Sequence, residues 1–338
     1  MEKILEVKNL VTGYKTNGAV VKAVDGISFD IRKGETVCIV GESGSGKSVT
    51  SMSIIRLVEF ENGQIMDGEI LFNQENLINK DNDEMRKIRG SQISMIFQEP
   101  LTALNPVFTI GKQIVEAIMF HKKITKKEAY LQAEALIKLV GISDSKTRIK
   151  QYPHELSGGM RQRVMIAIAL ASEPELLIAD EPTTALDVTI EAQILDLLRE
   201  LKRERNMSIM LITHDIGVAA EMADRVVIMY AGKIMEISSA EEIFNEPLHP
   251  YSKGLLESVP KMKGERGVEL KSITGSIPSL TQIPNGCRFS PRCPYATKVC
   301  YESEPDLEIK EGRQVACWLS DQLNSAYSNR SIEWESVK

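Results

Sequence analysis

No apolar run in this sequence is long enough to cross a bilayer. The longest extends only from Val164 to Ala171, whereas a transmembrane helix needs roughly 20 such residues. Positive charge is not in excess either. Lys and Arg number 41 against 47 Asp and Glu, a formal net charge of −6. That excludes the electrostatic footprint of generic nucleic-acid binding. Low-complexity disorder is excluded by the 43 % of apolar residues. The N-terminal stretch MEKILEVKNL has mixed charge and no apolar core, so no secretory signal is expected and the chain is expected to stay in the cytoplasm. Cysteine is scarce, with five in 338 residues, and uneven. Cys287, Cys293, Cys300 and Cys317 crowd into 31 residues. In a reducing cytosol such a cluster reads as metal-binding before disulfide-bonded. Cys38 stands apart, inside a strand-like run, as a small buried hydrophobe.

The length predicts two domains, or one large domain with an appendage. LEVKNLVTGY, VKAVDGISFDI and ETVCIV read as strands separated by Gly-containing turns. A helix is expected from Ser48 through Val58, and strands at Glu69 to Asn73 and Ile93 to Phe97. From about residue 100 to 172 apolar residues recur at three- and four-residue spacing, which predicts helices. LLIAD, Leu176 to Asp180, is a continuous apolar strand of the kind buried in a parallel sheet. The helix AQILDLLRELKRE, the strand SIMLIT, the helix DIGVAAEMA and a hairpin in RVVIMYAGKIM follow. Strand–helix alternation with an all-helical insertion argues for an α/β fold with a helical subdomain, about 99–172. Past residue 240 the chain is rich in Pro, Gly and Ser. It reads as an extension, 241–338, leading into a small Cys-bearing module.

Two motifs carry chemistry. GESGSGKS, Gly41 to Ser48, fits the pattern G-x-x-x-x-G-K-[ST] between a strand and a helix. Its glycines let backbone N–H groups turn inward on phosphate oxygens, and the helix N-terminus adds its positive end. Lys47 is placed to reach the β- and γ-phosphates, and Ser48 to offer a hydroxyl to Mg²⁺. Downstream, LLIADEP sets Asp180 and Glu181 at the end of an apolar strand. There one carboxylate helps to hold the metal and the next can act as general base on a water.

LSGGMRQR, Leu156 to Arg163, adds a Ser N-cap followed by two glycines at the start of a helix. Such an end attracts an anion, yet the chain's own phosphate loop lies about 109 residues upstream. A partner's phosphate would satisfy it. GESGSGKS, LSGGMRQR, LLIADEP, TALD and ITHD, in this order and each present once, resemble the ATP-binding subunits of ABC transporters. The resemblance covers residues 1 to about 240. It implies an ABC-type P-loop ATPase core, a mixed sheet with an antiparallel N-terminal part, beside the helical subdomain. It further implies that Tyr14 stacks on adenine with Val24 close by. Gly41, Glu42, Ser43, Gly44, Ser45, Gly46, Lys47, Ser48 and Val49 would bind the nucleotide, and Gln98 would contact Mg²⁺ together with Ser48 and Asp180. Ser157, Gly158 and Gly159 would bind the γ-phosphate of ATP held by the opposite subunit. Glu181 would be the catalytic glutamate, Asp187 the D-loop aspartate and His214 the switch histidine.

Three further features, IFQEPLTALNP, LHPYSKGLL and the Cys-rich tail, resemble the oligopeptide, dipeptide and nickel importer ATPases, and SGGMRQR with FQEPLTALNPVFTIG resembles their first, D-type subunit. This implies a motor subunit on the cytoplasmic face of the membrane. Its partners would be two permease subunits, a second homologous ATPase and, indirectly, an extracytoplasmic solute-binding protein, with no nucleic acid. A nickel or other solute importer is the alternative, with a soluble ABC protein of DNA repair or translation behind it. The cysteine spacing C-x5-C-x6-C-x16-C matches neither close zinc pairs nor ferredoxin runs, so spacing alone leaves zinc and a 4Fe–4S cluster open. The resemblance favours the cluster. Arg288, Arg292 and Lys298 either offset the charge of thiolates or form a solvated face.

Overall fold

The computed structural model describes residues 2–16, 19–99, 103–184, 186–258 and 273–322. Residues 100–102 of IFQEPLTALNP, Ala185 of TALD, and segments 259–272 and 323–338 of the extension lie outside the described residues. The strands are β1 (Lys3–Thr16), β2 (Ala19–Arg32), β3 (Thr36–Val40), β4 (Gly63–Phe72), β5 (Glu75–Asn76) and β6 (Ile93–Ile96). They continue with β7 (Leu176–Asp180), β8 (Ser208–Thr213), β9 (Arg225–Tyr230), β10 (Lys233–Ser239), β11 (Glu308–Lys310) and β12 (Arg313–Val315). The chain divides into two compact units.

The first unit comprises Met1–Ile4, Ile31–Glu35 and Phe72–Ile212. Its sheet is parallel: β6 pairs with β7 from Ile93↔Leu176 to Ile96↔Ala179, and β7 with β8 from Leu176↔Ser208 to Asp180↔Ile212. Every residue of β7 and β8 is buried, as an unbroken apolar run requires of a strand covered on both faces. The helical part contains Ile110–His121, Lys126–Leu139 and Gly158–Ala169. These bury Ile114, Ile118, Ala129, Ala133, Ile137, Val164 and Ile166 at helical spacing. Thr109 caps the first helix, and a Thr125–Glu128 capping box starts the second. In this unit the helix Asn82–Ile88 has no counterpart among the sequence expectations. An Asp81–Glu84 capping box marks its start.

The second unit comprises Leu5–Asp30, Thr36–Leu71 and Thr213–Lys338. It holds most of β1, β2 and β4, in sheet order β2-β1-β4. Beside them β3 lies parallel to β9, from Val37↔Arg225 to Val40↔Ile228. The expected hairpin joins β9 to β10 through Ala231 and Gly232, with φ of 45° and 82°. Two positive φ values make the two-residue turn whose twist suits a hairpin. The tail then continues the sheet: β12 pairs with β10, Glu236↔Val315, and β11 with β12. The helix expected through Val58 ends at Ile54, and a short 3₁₀ turn, Val58–Glu61, follows. Arg56, at φ 54°, breaks the α-helical path between them. Among the described residues no helix is long and apolar enough to cross a membrane.

Candidate functional site

The phosphate loop lies in the second unit, between β3 and the helix Lys47–Ile54. Two glycines there are forced by space. A Cβ on Gly41 would meet the Met229 carbonyl oxygen at 2.2 Å, and one on Gly46, at φ +101°, the Ala23 carbonyl at 2.7 Å. Such approaches exclude a side chain. The Ser45 carbonyl accepts from Gly232 N–H at 2.8 Å, so the hairpin turn braces the loop. Lys47 is buried and its Nζ donates to the carbonyls of Gly41 (2.7 Å) and Glu42 (3.1 Å). Ser43 and Gly44 are exposed, and the Ser45 hydroxyl is buried with no hydrogen-bond partner among the described residues. A buried ammonium, an unmet hydroxyl and a helix N-terminus suit a polyphosphate.

In the same unit Tyr14 is half-buried. Burial, and then the charge of Glu61, push its phenol up from the ordinary value. Gly63 leaves room for its ring, since a Cβ there would stand 3.0 Å from Tyr14 Cε1. Val24 is fully buried and offers no surface to a ligand. His214 is exposed at the end of β8, and Asp215 beside it caps the next helix through Gly217 N–H at 2.6 Å.

The first unit gathers a second group at the end of β7. Asp180 is buried as the last residue of the strand. Glu181 turns into the left-handed region at φ 46°, a conformation that costs a non-glycine residue and clusters at functional sites. Its N–H is anchored on the Ile212 carbonyl at 2.9 Å. Its Oε2 accepts from Gln98 Nε2 at 2.8 Å and from the Thr184 hydroxyl at 2.9 Å. The expected Gln98 and Glu181 are therefore in direct contact. Asp187 caps the helix Val188–Arg205, accepting from Ile190 N–H at 2.9 Å.

Ser157 caps the helix Gly158–Ala169 through Met160 N–H at 3.3 Å, as its place before the helix predicts. Ser157 and Gly158 are exposed, and a Cβ on Gly158 would meet nothing within 4 Å. This helix end is open at its first glycine, whereas the phosphate loop is crowded at Gly41 and Gly46 and exposed only at Ser43 and Gly44.

The tail is built into the second unit. Cys287, Cys293, Cys300 and Cys317 line one cavity of ≈ 20 Å³ with His249, Phe289 and Trp318. Burial pushes the Cys287 thiol up to about 12 and Cys317 to about 11, and Cys293 rises for the same reason. Among the described residues no three Cys, His, Asp or Glu side chains converge as ligands of one metal ion. His249 caps the helix Pro250–Glu257 by accepting Tyr251 N–H on Nδ1 at 3.0 Å. Complete burial holds it neutral, down to about 3. Glu236, pushed up by burial, accepts the Leu248 and His249 N–H groups, each at 2.9 Å. Tyr230, Tyr251 and Phe289 meet edge-on or tilted at 4.7–5.4 Å.

The family profile described as ABC transporter matches residues 24–184. The one described as oligopeptide/dipeptide transporter, C-terminal region, matches 235–300. The chain is 53 % identical to the oligopeptide transport ATP-binding protein AppD of Bacillus subtilis, over 97 % of this chain and 100 % of that one. It is 53 % identical to the dipeptide transport ATP-binding protein DppD of the same organism, over 95 % and 96 %. The chain belongs to the ABC transporter ATP-binding family. It is 48 % identical to the oligopeptide transport ATP-binding protein OppD of Escherichia coli, over 94 % and 93 %. Among solved structures, the ATP-binding cassette MJ0796 in a dimeric post-hydrolysis state with ADP and phosphate superposes with a TM-score of 0.64. The two are 30 % identical, and the match covers 70 % of this chain and 98 % of that one. The ABC ATPase fold expected from the motifs is the fold observed, and family members of this kind hydrolyse ATP.

Within that family, the sequence reading missed how the tail meets the phosphate loop. Arg292 is buried, and its guanidinium donates to both carboxylate oxygens of Glu42, at 2.6 and 3.0 Å. Arg288 is buried against Asp25, Glu304 and the Ala231 carbonyl. Neither arginine forms a solvated face, and both spend their charge on carboxylates of the ATPase core and tail. Burial opposes ionisation of Asp25, but its bond from Lys22 and the charges of Lys233 and Arg288 hold its carboxyl below the usual range. Lys298 does sit at the surface, 88 % exposed and paired with Glu302. Only the presence of Arg beside Cys287 and before Cys293 signalled this junction, and sequence spacing could not name its carboxylate partners.

Proposed function

We propose that this chain is the ATP-hydrolysing motor subunit of a membrane importer of di- or oligopeptides. One observation carries the reading: a phosphate loop, a strand-end carboxylate pair and an open signature helix occur together in a chain alike, end to end, to oligopeptide and dipeptide transport ATP-binding proteins. Gly41 to Val49 hold the triphosphate, and Lys47 exchanges its two loop carbonyls for phosphate oxygens. Tyr14 stacks on the base. Ser48, Gln98 and Asp180 would hold Mg²⁺, which when bound neutralises charge on the β- and γ-phosphates. Glu181 orients and polarises the attacking water from the geometry that Gln98 and Thr184 impose on it. His214 contacts the γ-phosphate from its exposed position. Ser157, Gly158 and Gly159 take the phosphate of ATP held by a second, homologous ATPase subunit. Two permease subunits receive the motion at the cytoplasmic face of the membrane, where the chain is peripheral, and a solute-binding protein supplies the peptide.

Glu181→Gln keeps the size and the hydrogen bonds but loses the base. It is expected to bind ATP and to lose at least ~100-fold in hydrolysis. Near-normal turnover would overturn the assignment.

In the same reading the four tail cysteines would hold a 4Fe–4S cluster, as the tail's resemblance implies. What supports a shared site is that all four line one cavity. Protein purified without oxygen is expected to carry iron and acid-labile sulfide near four each per chain. One zinc without sulfide would replace the cluster with a structural ion.

A further inference from the structure

Glu42, the second residue of the phosphate loop, is bonded on all sides. Its N–H donates to the Tyr251 hydroxyl at 3.0 Å, its carbonyl accepts from Lys47, and its carboxylate takes two bonds from Arg292. Tyr251 and Arg292 come from the two tail segments that set this subfamily apart, LHPYSKGLL and CRFSPRC. Arg292 leaves no donor idle. Nε donates to the Thr274 carbonyl at 2.9 Å, Nη1 also to the Tyr230 hydroxyl at 3.3 Å, and Nη2 also to the Ile273 carbonyl at 3.3 Å. A two-point guanidinium–carboxylate pair fixes orientation as well as distance, which an ammonium cannot match. The loop has little room on its other side, where a Cβ on Gly41 would stand 2.2 Å from the Met229 carbonyl oxygen.

We propose that Arg292 is a positioning residue for the phosphate loop: with Tyr251 it fixes Glu42, so that the C-terminal extension sets the loop's affinity for nucleotide phosphates. Two effects act in the same direction. The pair holds the first turn of the loop in the shape from which its N–H groups face the ligand. It also neutralises a carboxylate that otherwise stands unpaired next to a site for a polyanion. The inference rests on the nucleotide reading above but not on what the thiols hold. Arg292 touches no substrate, and it acts through Glu42.

The test is equilibrium binding of ATP to the full-length chain, with total thiol content and near-ultraviolet circular dichroism as checks on the tail. Arg292→Met is expected to weaken ATP about tenfold, and Arg292→Lys less, because the charge is kept and the fork is lost. Glu42→Gln alone, which loses the charged fork but leaves no stray negative charge, is expected to weaken ATP two- to fivefold. Combined with Arg292→Met it should bring affinity back up to that of Glu42→Gln alone, because the unpaired carboxylate is gone while the fork stays lost. A purely structural role for Arg292 predicts no such rescue. Tyr251→Phe removes one hydroxyl from an unchanged aromatic cluster and is expected to weaken ATP two- to fivefold. If Arg292→Met disturbs the tail, Tyr251→Phe and Glu42→Gln carry the test. Unchanged affinity in Arg292→Met and Tyr251→Phe, or a double variant no better than Arg292→Met alone, would overturn the proposal. Absence of ATP binding by the wild-type chain would instead overturn the nucleotide reading and this inference with it. Binding abolished by Lys47→Ala yet indifferent to Arg292 would overturn this inference alone.

Discussion

The chain carries two glycine-rich helix N-termini with opposite characters. At the phosphate loop, backbone and side chains from β9, the hairpin turn and the tail close around Gly41 to Lys47. At Ser157 and Gly158 the helix end is exposed, and its first glycine has empty space where a side chain would stand, although the next, Gly159, packs against Ile190. The first is a finished cradle built inside one unit of one chain. In the function proposed above, the second is half of a site, completed when a partner subunit supplies an anion. On that proposal the same local chemistry, N–H groups and a helix dipole, serves as a binding site in one place and a docking surface in the other.

Exchanging the glycines should expose that contrast most sharply. Gly41→Ala puts a methyl 2.2 Å from a backbone carbonyl. It is expected to cost ~1–3 kcal/mol of stability, the scale of overpacking, and to weaken ATP at least tenfold. Gly158→Ala meets nothing and should leave both melting temperature and ATP affinity of the single chain near wild type. Calorimetry and nucleotide titration of the pair check this. Equal damage at both positions would erase the distinction.

A smaller effect separates the tail-braced unit by pH. Above about 6.5 His249 is neutral whether the chain is folded or not, while its folded value lies at about 3. Between those values only the unfolded chain takes up the proton, so stability falls as pH falls through this window. The slope from this group is at most ~1.4 kcal/mol per pH unit. Urea unfolding from pH 7 to 5 should show a shallower loss in His249→Gln than in wild type, and equal slopes would contradict the burial argument. Smallest is the cap on the open side. Ser157→Ala should cost ~1 kcal/mol in stability by removing the bond to Met160 N–H. Its ATP affinity as a single chain should stay unchanged.

The sequence made the enclosed site readable and the open one nearly so. GESGSGKS and LLIADEP announce themselves because phosphate chemistry needs those residue types at those spacings, and the strands around them are unbroken apolar runs. The Gln98–Glu181 contact spans 83 positions and was reachable only through the order of motifs. Val24, paired with Tyr14 by resemblance, proved to be core. Periodicity cannot tell a buried wall from a ligand contact. The helix Asn82–Ile88 was missed because seven residues carry too short a periodic signal, although D-N-D-E at its start held the capping box. Arg292 was legible as a charge among cysteines but not as the partner of Glu42, 250 residues away. Long-range ion pairs leave no pattern in a single sequence.

The most direct test of this account is ATP affinity of the full-length single chain in three forms: wild type, Lys47→Ala and Gly158→Asp. If the cradle is complete within one chain and the signature serves another, Lys47→Ala weakens binding at least ~100-fold, while Gly158→Asp stays within about twofold of wild type. Equal losses in the two variants, or no loss in either, would contradict it.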